Sequence, residues 1–339
     1  MRILLADGST VYKDIFIKAM AEIAPNADVA HAKNGKGALE LIKKRDYDIV
    51  VLDIEIKEPD APHILNEIIK VIPKALVIIT VSPSPAHNKL GAELLTMGAF
   101  DTITKPIYDS YSENIDKIKQ KMTEVLDVVT EKHAKKSEPA ENKEEDQKTA
   151  LLPELVLIAV STGGPQTLQK IFSEISGDIP VPILVVQHIP ANFAEVLAGN
   201  LNLTSKLKVK VAETREKIEA GTVYIAPGDI HMKLDKKNKI YFDDSPPIHG
   251  IRPAADVLFE SVVESYAVNR VLVIILTGMG SDGVKGLKML KKERVCYCIA
   301  QSESTCVVYG MPRVAVESGL VDKIVDLEDI ASEIEELTM

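Results

Sequence analysis

The chain has 339 residues, of which 46% are hydrophobic and 27% charged, and its formal net charge at pH 7 is -10. At about 100–200 residues per domain, this length predicts two domains. The negative charge and the 4% of aromatic residues, with no Trp, disfavour a protein that binds nucleic acid. With only three cysteines and no secretory signal, we expect a cytoplasmic protein. No apolar run approaches the ~20 residues that span a membrane, so membrane insertion is not expected.

Residues 1–130 alternate short apolar runs with amphipathic stretches, which is the pattern of alternating strands and helices. We predict strands over 3–6, 28–31, 49–52, 76–79 and 102–103. Helical patterns include 37–44, 89–97 and 111–129. These repeats predict an α/β domain in which helices cover both faces of a mainly parallel sheet.

The segment 131–150 differs from the rest of the chain, because it contains no Val, Ile, Leu or Phe and is rich in Lys and Glu. Such a segment cannot bury enough apolar surface to offset the entropy of ordering. We predict a flexible charged linker over 131–152, between a domain over 1–130 and another over 153–339. An exposed helix is the alternative.

Residues 153–339 are also of the α/β type. We predict buried strands over 155–160, 183–187, 223–226 and 271–276, and helices over 166–175, 254–266 and 284–292. A polar turn between 232–234 and 240–242 indicates a hairpin.

Four polar side chains stand at the ends of predicted strands in the first half. Asp7, Asp53 and Lys105 follow strands, and Thr80 ends one. In parallel sheets the carboxyl ends of the strands line one edge, where sites form. Carboxylates suit Mg²⁺, and a carboxylate can attack a phosphoryl group while an ammonium balances the charge. The alternative is that each side chain is simply solvated.

The segments ILLADGS, DIVVLD and MGAFDTITKP resemble the receiver domain of two-component response regulators. That resemblance implies a flavodoxin-like fold with Asp53 as the phospho-acceptor, Thr80 as the switch hydroxyl and Lys105 facing the phosphate. It also implies that Asp7 and Asp53 are ligands of Mg²⁺, which receivers use for phosphorylation. Gly8 stands where receivers usually have a second acidic residue. We therefore expect weakened metal binding and phosphorylation.

Two further positions depart from the receiver pattern, since Lys57 replaces its usual Pro and Ala61 its usual Gly.

A serine, a histidine and an aspartate follow three strands of the second half. Ser161 begins the segment STGGP after strand 155–160, and His188 follows strand 183–187. Asp282 lies in the Gly-rich segment TGMGSDG after strand 271–276. Nucleophile, base and orienting carboxylate at neighbouring strand ends predict a hydrolytic triad. The alternatives are a helix cap, a loop histidine and a turn residue, or a turn that binds phosphate.

Simple nucleotide and hydrolase motifs do not fit the STGGP segment. It is neither a Walker A loop nor G-x-G-x-x-G, and Ala159 excludes the G-x-S-x-G elbow.

The second half carries the segments STGGP, VQHIP, YIAPGDIHM, TGMGSDG and TCVVYGMPR in this order. They resemble the Rossmann-like catalytic domain of the chemotaxis protein-glutamate methylesterase family, which also joins a receiver to that domain. The resemblance implies Ser161 as the nucleophile, His188 as the general base and Asp282 as its orienting carboxylate. Backbone N–H groups of Thr162 and Met279 would form the oxyanion hole. No cofactor is implied for catalysis.

The family resemblance implies hydrolysis of glutamate γ-methyl esters on methyl-accepting chemotaxis receptors, and deamidation of receptor glutamines. A chemotaxis histidine kinase would phosphorylate the receiver, which in its unphosphorylated form would cover the active-site mouth. A non-catalytic signalling adaptor and a general serine esterase are the alternatives. The chain departs from the family at Ala159 and Val160, usually Gly and Ala, and at Ile251, usually His.

Other candidate residues have weaker support. Cys296 and Cys298 share one face of a predicted strand, where a buried core is favoured over a metal pair. His231 and His249 are predicted to be solvated loop residues, with a place in the lining of the pocket as the alternative. Arg252 is a candidate contact for an acidic substrate.

Overall fold

The computed structural model describes residues 1–105, 110–134, 152–248, 250–265 and 268–339. The chain divides into two compact units, Met1–Pro139 and Ala140–Met339. Most of the predicted linker, at 135–151, and His249 lie outside the described residues. Among the described residues, no helix is both long enough and apolar enough to cross a membrane.

The first unit is an α/β structure with one five-stranded parallel sheet in the order β2-β1-β3-β4-β5. Its central strands β3 and β4 are buried along their whole length, because both faces of the sheet are covered by helices. Its elements are β1 (Arg2–Ala6), α1 (Thr10–Ile23), β2 (Asp28–Ala32), α2 (Gly35–Ile42), β3 (Ile49–Asp53), α3 (Ala61–Val71), β4 (Leu76–Val81), α4 (Pro85–Met97), β5 (Asp101–Thr104) and α5 (Tyr111–Ala134).

The second unit contains a seven-stranded parallel sheet in the order β14-β13-β12-β6-β7-β9-β8, and a separate antiparallel hairpin of β10 and β11. Its elements are β6 (Leu155–Val160), α6 (Gly164–Glu174), β7 (Ile183–Gln187), α7 (Ala191–Thr204), β8 (Lys208–Val211), β9 (Thr222–Ile225), β10 (His231–Leu234), β11 (Ile240–Asp243), α8 (Ala255–Ser265), β12 (Arg270–Ile275), α9 (Val284–Glu293), β13 (Val295–Gln301), α10 (Met311–Glu317), β14 (Lys323–Val325) and α11 (Leu327–Thr338).

Side chains of the central strand β6 alternate between two apolar cores, one on each face of the sheet. Val156, Ile158 and Val160 enter one core, and the residues between them enter the other. The α/β class predicted for each half is therefore confirmed.

The sequence patterns did not identify the edge strands β8 and β14. β8 reads KVKV, with its first lysine exposed, and β14 has only three residues. Short and charged edge strands discourage pairing with other chains, and they lack the continuous apolar run that marks a central strand.

Candidate active site

Three adjacent strands carry the predicted triad to one edge of the seven-stranded sheet. β12, β6 and β7 are neighbours in that order, and all three are parallel. The N–H of Ser161 donates to the carbonyl oxygen of Thr277 at 2.9 Å, and the N–H of His188 donates to that of Val160 at 3.1 Å. The chain segments that carry Ser161 and His188 are therefore fixed to one another through the sheet.

Ser161 leads directly into a tight turn and a helix. Gly163 has a φ of 80°, in the left-handed region that glycine adopts without strain. Pro165 occupies the first turn of α6, where its missing N–H costs nothing. Ser161 itself is half-buried, and its hydroxyl makes no hydrogen bond with the His188 ring within the described parts of the chain. The turn thus presents the hydroxyl at the strand end.

His188 and Asp282 form a hydrogen-bonded pair. The Nε2–H of His188 donates to Oδ2 of Asp282 at 2.8 Å, and the Asp282 side chain is nearly fully buried. Burial opposes the charged form of Asp282, but its pKa is lowered, because hydrogen bonds from His188 and from backbone N–H groups outweigh burial. With Nε2 committed to Asp282, the Nδ1 of His188 is the nitrogen left for the nucleophile.

The start of helix α8 holds the Asp282 carboxylate. The N–H of Ala255 donates to Oδ2 at 2.6 Å, and the N–H of Asp256 donates to Oδ1 at 3.0 Å. The first N–H groups of a helix have no partner within the helix and carry its positive dipole end. The helix therefore both fixes Asp282 and favours its ionised form.

Two backbone N–H groups near Ser161 are uncommitted. Within the described residues, neither the N–H of Thr162 nor that of Met279 has a hydrogen-bond acceptor. Thr162 follows Ser161 in the chain, and Met279 follows Gly278, which packs against the Ser161 side chain. Uncommitted N–H groups at such a position can accept a developing oxyanion.

The first unit brings Asp7, Asp53 and Lys105 together. The Lys105 Nζ lies 2.9 Å from Oδ2 of Asp7 and 2.8 Å from Oδ1 of Asp53. Burial raises the pKa of Asp53, with a contribution from the Asp7 charge. Burial by itself lowers the pKa of Lys105. Its hydrogen bonds to the two carboxylates outweigh burial, so the pKa is raised. The three groups form one buried ionic cluster.

Thr80 and Tyr12 are buried in the same unit with unsatisfied hydroxyls. Neither hydroxyl has a hydrogen-bond partner among the described residues. The Lys105 Nζ lies 5.1 Å from the centre of the Tyr12 ring, and burial raises the pKa of that phenol. The Thr80 hydroxyl is therefore available to a new acceptor.

The carboxylates of the ionic cluster fit Mg²⁺ as a ligand pair, although no group of three or more His, Cys, Asp or Glu is placed to hold a metal within the described ranges. Oδ2 of Asp7 is buried, and among the described residues the Lys105 ammonium is the sole group that contacts it. Oδ1 of Asp53 contacts the same ammonium, so both oxygens face one cation position. Mg²⁺ commonly takes one or two carboxylates and keeps several waters. The chain thus offers two carboxylate ligands.

Comparisons with known proteins identify the family of each unit. The family model of the CheB methylesterase matches residues 156–334, and that of the response regulator receiver domain matches residues 3–117. This chain belongs to the CheB methylesterase family. A protein-glutamate methylesterase/protein-glutamine glutaminase of Halalkalibacterium halodurans is 37% identical over 342 residues, which cover 98% of this chain and 97% of that protein. Family membership confirms the resemblance found in the sequence.

Two further relatives support the same assignment. A protein of Archaeoglobus fulgidus with the same name is 37% identical over 348 residues, covering 98% of this chain and 97% of its own. The crystal structure of the Thermotoga maritima CheB methylesterase catalytic domain is 40% identical, with a TM-score of 0.52. The match covers 55% of this chain and 98% of the Thermotoga maritima chain.

The CheB methylesterase unit also contains supporting residues that the sequence patterns did not reveal. Buried Gln187 donates from Nε2 to the carbonyl oxygen of Ser161 at 2.9 Å and to that of His188 at 3.3 Å. Buried Thr277 donates from Oγ1 to the carbonyl oxygen of Thr162 at 2.9 Å. Both belong to the segments VQHIP and TGMGSDG, but only their three-dimensional contacts distinguish them from the other residues of those segments.

The prediction that His231 is a solvated loop residue is wrong. His231 lies on β10 and has no exposed surface. Its Nδ1 accepts from the N–H of Ala254 at 3.1 Å, and its Nε2–H donates to the carbonyl oxygen of Pro246 at 3.3 Å. Two backbone groups therefore satisfy the ring, which allows it to be buried at the start of α8.

The favoured core interpretation of the cysteine pair is confirmed. Cys298 is fully buried in the apolar core, and Cys296 packs against that core. Burial raises the pKa of Cys296 to about 12 and that of Cys298 well above its usual value. Both thiols are therefore held in their uncharged form.

Arg252 is held by the backbone. One of its terminal nitrogens, Nη1, donates to the carbonyl oxygens of Asp244 at 2.9 Å and Ser245 at 3.1 Å. Its contact with an acidic substrate stays a prediction.

Proposed function

We propose that this chain hydrolyses γ-methyl esters of glutamate on methyl-accepting chemotaxis receptors, with Ser161, His188 and Asp282 as its triad. The observation that carries the proposal is the 2.8 Å hydrogen bond between His188 and Asp282, on strand ends next to that of Ser161. The curated relatives' names supply the substrate class.

The first half of the reaction forms an acyl-enzyme. Ser161 Oγ attacks the ester carbonyl carbon while its proton moves to Nδ1 of His188. Asp282 stays ionised and stabilises the imidazolium. The N–H groups of Thr162 and Met279 donate to the oxyanion. When the carbon–oxygen bond to the methoxy group breaks, the imidazolium proton goes to that group and methanol leaves.

The second half releases the product. His188 takes a proton from water, and the resulting hydroxide adds to the acyl carbon. The tetrahedral intermediate collapses, the bond to Ser161 Oγ breaks, and the proton returns to that oxygen. The products are a receptor glutamate and the regenerated enzyme. A glutamine side chain follows the same steps with ammonia as the leaving group, which supports deamidase activity. None of these steps requires a cofactor.

The receiver unit makes the esterase responsive to a signal. A chemotaxis histidine kinase in the cytoplasm phosphorylates Asp53, and Thr80 and Lys105 bind the phosphoryl oxygens. Asp7 and Asp53 would hold Mg²⁺, which would supply positive charge for that transfer. Phosphorylation relieves inhibition of the esterase. The buried, unsatisfied Thr80 hydroxyl supports its switch role.

Methanol release from methylated receptor is the direct test of the esterase proposal. The full-length protein is incubated with receptor carrying labelled methyl esters, and volatile label is collected. Ser161→Ala is expected to release no methanol above background, with unchanged circular dichroism. Ser173→Ala is the matched control, because Ser173 is an exposed serine of α6 that donates only to the helix backbone.

The same experiment separates the proposal from its alternatives. An adaptor would release no methanol even as the wild-type protein. A general esterase would hydrolyse small free esters as efficiently as methylated receptor. Substantial release by Ser161→Ala would overturn the assignment of the nucleophile.

A further inference from the structure

At the N-terminus of each of the helices α8 and α9, backbone N–H groups bind a buried carboxylate that belongs to the start of the other helix. Asp282, which stands just before α9, accepts from the first N–H groups of α8. In return, Oδ1 of Asp256 in the first turn of α8 accepts from the N–H of Gly286 in α9 at 2.8 Å. Hydrogen bonds in both directions thus link the two carboxylates and the two helix starts to one another.

This exchange requires the two helices to approach closely. A Cβ atom built on Gly286 would lie 2.5 Å from Cβ of Phe259 and 3.1 Å from the carbonyl oxygen of Asp256. A gap of that size excludes any side chain at 286, so the N–H of Gly286 can reach the Asp256 carboxylate. The contact is therefore built into the packing.

Burial of the Asp256 carboxylate costs free energy of folding, which points to a functional role for this residue. It is 4% exposed, and burial raises its pKa to about 6, with the Asp282 charge adding to the effect. A second buried carboxylate near Asp282 is unfavourable in itself. The N–H of Gly286 offsets part of this cost, as does that of Gly283. Both of these N–H groups belong to the segment that begins with Asp282.

We propose that Asp256 is a positioning residue, which holds Asp282 within hydrogen-bonding reach of His188. It touches no reacting atom. It anchors the start of α9. The N-cap of that helix is Gly283, the residue directly after Asp282. This inference rests on the proposed function, because it assigns a role within the same triad.

The second anchor of α8 supports this role. His231 accepts from the N–H of Ala254, one residue before the two N–H groups that hold Asp282. Three successive N–H groups at this helix start are therefore bound by two buried side chains. The Asp256 side chain, which accepts from the N–H of Gly286, ties this same helix start to α9.

The test compares Asp256→Ala with Asp256→Asn in the full-length protein, by methanol release from methylated receptor. Asp256→Ala removes the acceptor, and kcat is expected to fall about 10²-fold with KM little changed, because small misplacements of a catalytic group cost that much. The acidic limb of the kcat/KM profile should also move to lower pH, since the imidazolium loses part of its Asp282 partner. Asp256→Asn keeps an acceptor oxygen and should recover most of kcat.

A control and a second readout make the outcome decisive. Glu333→Ala removes another buried carboxylate, on α11 and paired with Lys323, and should change stability but neither kcat nor the pH profile. NMR of the ring Nε2–H of His188 reads its bond to Asp282 directly. That downfield signal should be weakened in Asp256→Ala and kept in Asp256→Asn.

The possible results separate this inference from the proposed function. If the wild-type protein releases no methanol, the proposed function fails, and the Nε2–H signal alone decides the role of Asp256. If Asp256→Ala does not fold, Asp256→Leu takes its place, since it fills the same space without an acceptor. Wild-type kcat, pH profile and Nε2–H signal in the folded variant would overturn the inference.

Discussion

Gly278 lies directly against Ser161, the proposed nucleophile. A Cβ atom built on Gly278 would lie 2.6 Å from Cβ of Ser161 and 3.1 Å from its backbone nitrogen. The N–H of Gly278 donates to the carbonyl oxygen of Val308 at 3.0 Å, which fixes its position. A side chain at 278 would therefore press on Ser161 as well as on Met311, whose Sδ would lie 2.6 Å from the same Cβ atom.

Gly278→Ala is accordingly expected to lower kcat for methanol release by about 10²-fold or more, because the Ser161 hydroxyl moves out of line with His188. The measurement is steady-state methanol release, with unfolding by urea followed in parallel. Gly199→Ala on α7 is the matched control, because a Cβ there meets nothing within 4 Å. Equal activity of the two alanine variants would show that the close contact does not constrain catalysis.

Asp53 is expected to carry all of the response to phosphorylation. Asp53→Asn keeps the size of the side chain but removes the nucleophilic carboxylate, so a small phosphodonor should no longer stimulate methanol release. Its unstimulated rate should stay within about twofold of the wild-type rate, since the coupling acts only through the phosphorylated state. Asp116→Asn, at an exposed position of α5, should respond to the phosphodonor like the wild-type protein. Stimulation of Asp53→Asn would place the phosphorylation elsewhere.

Local sequence predicted the residues of the candidate triad because each follows an apolar strand and is followed by a turn signal. The Gly residues around Ser161 and Asp282 marked sharp turns, and such turns present side chains at a sheet edge. The sheet order that makes their strands neighbours is a long-range property. No local pattern contains it.

Asp256 and His231 could not be found in this way. The partners of Asp256 and Asp282 lie 26 to 30 residues away, so their hydrogen bonds exist only in the folded chain. His231 stands near a polar turn, where local composition suggests exposure. Its burial depends on backbone groups of Pro246 and Ala254, which tertiary packing brings to the ring.

Gly8 offers a way to strengthen the proposed Mg²⁺ site of the receiver. Its backbone has no unusual conformation, and a Cβ built there would meet only the carbonyl oxygen of Lys33, at 3.3 Å. Gly8→Asp therefore adds a third carboxylate at a small steric cost. We expect a lower dissociation constant for Mg²⁺ and faster phosphorylation of Asp53, because Mg²⁺ gains a hard oxygen ligand.

Calorimetric titration of the full-length protein with Mg²⁺ measures this effect without relying on activity. Gly8→Asn is the control, since it has nearly the same shape but no charge, and should bind Mg²⁺ no more than modestly better than the wild-type protein. Equal affinities for Gly8→Asp and the wild-type protein would contradict the prediction. So would an equal gain for both variants.

The raised pKa of Asp256 makes a signed prediction for stability. Its pKa is about 6 in the folded protein, against a usual 3.8, because it is buried and lies near Asp282 and Glu260. Glu260 is itself paired with Lys285 at 2.7 Å. The folded state thus binds the Asp256 proton more tightly than the unfolded state does. The stability that this proton provides is complete below about pH 4 and is lost as the pH rises through about 6.

Asp256→Asn should therefore become more stable relative to the wild-type protein as the pH rises from 4 to 7, by no more than about 3 kcal/mol. Urea unfolding of both proteins across this range gives the difference in the free energy of unfolding. Asp235→Asn is the control of opposite sign, because backbone N–H groups of Lys239 and Lys237 lower the pKa of that half-buried carboxylate. Its loss of stability should grow as the pH rises towards the usual pKa of 3.8 and change little above that value. A difference for Asp256→Asn that does not change with pH would mean that its carboxyl titrates alike in the folded and unfolded chain.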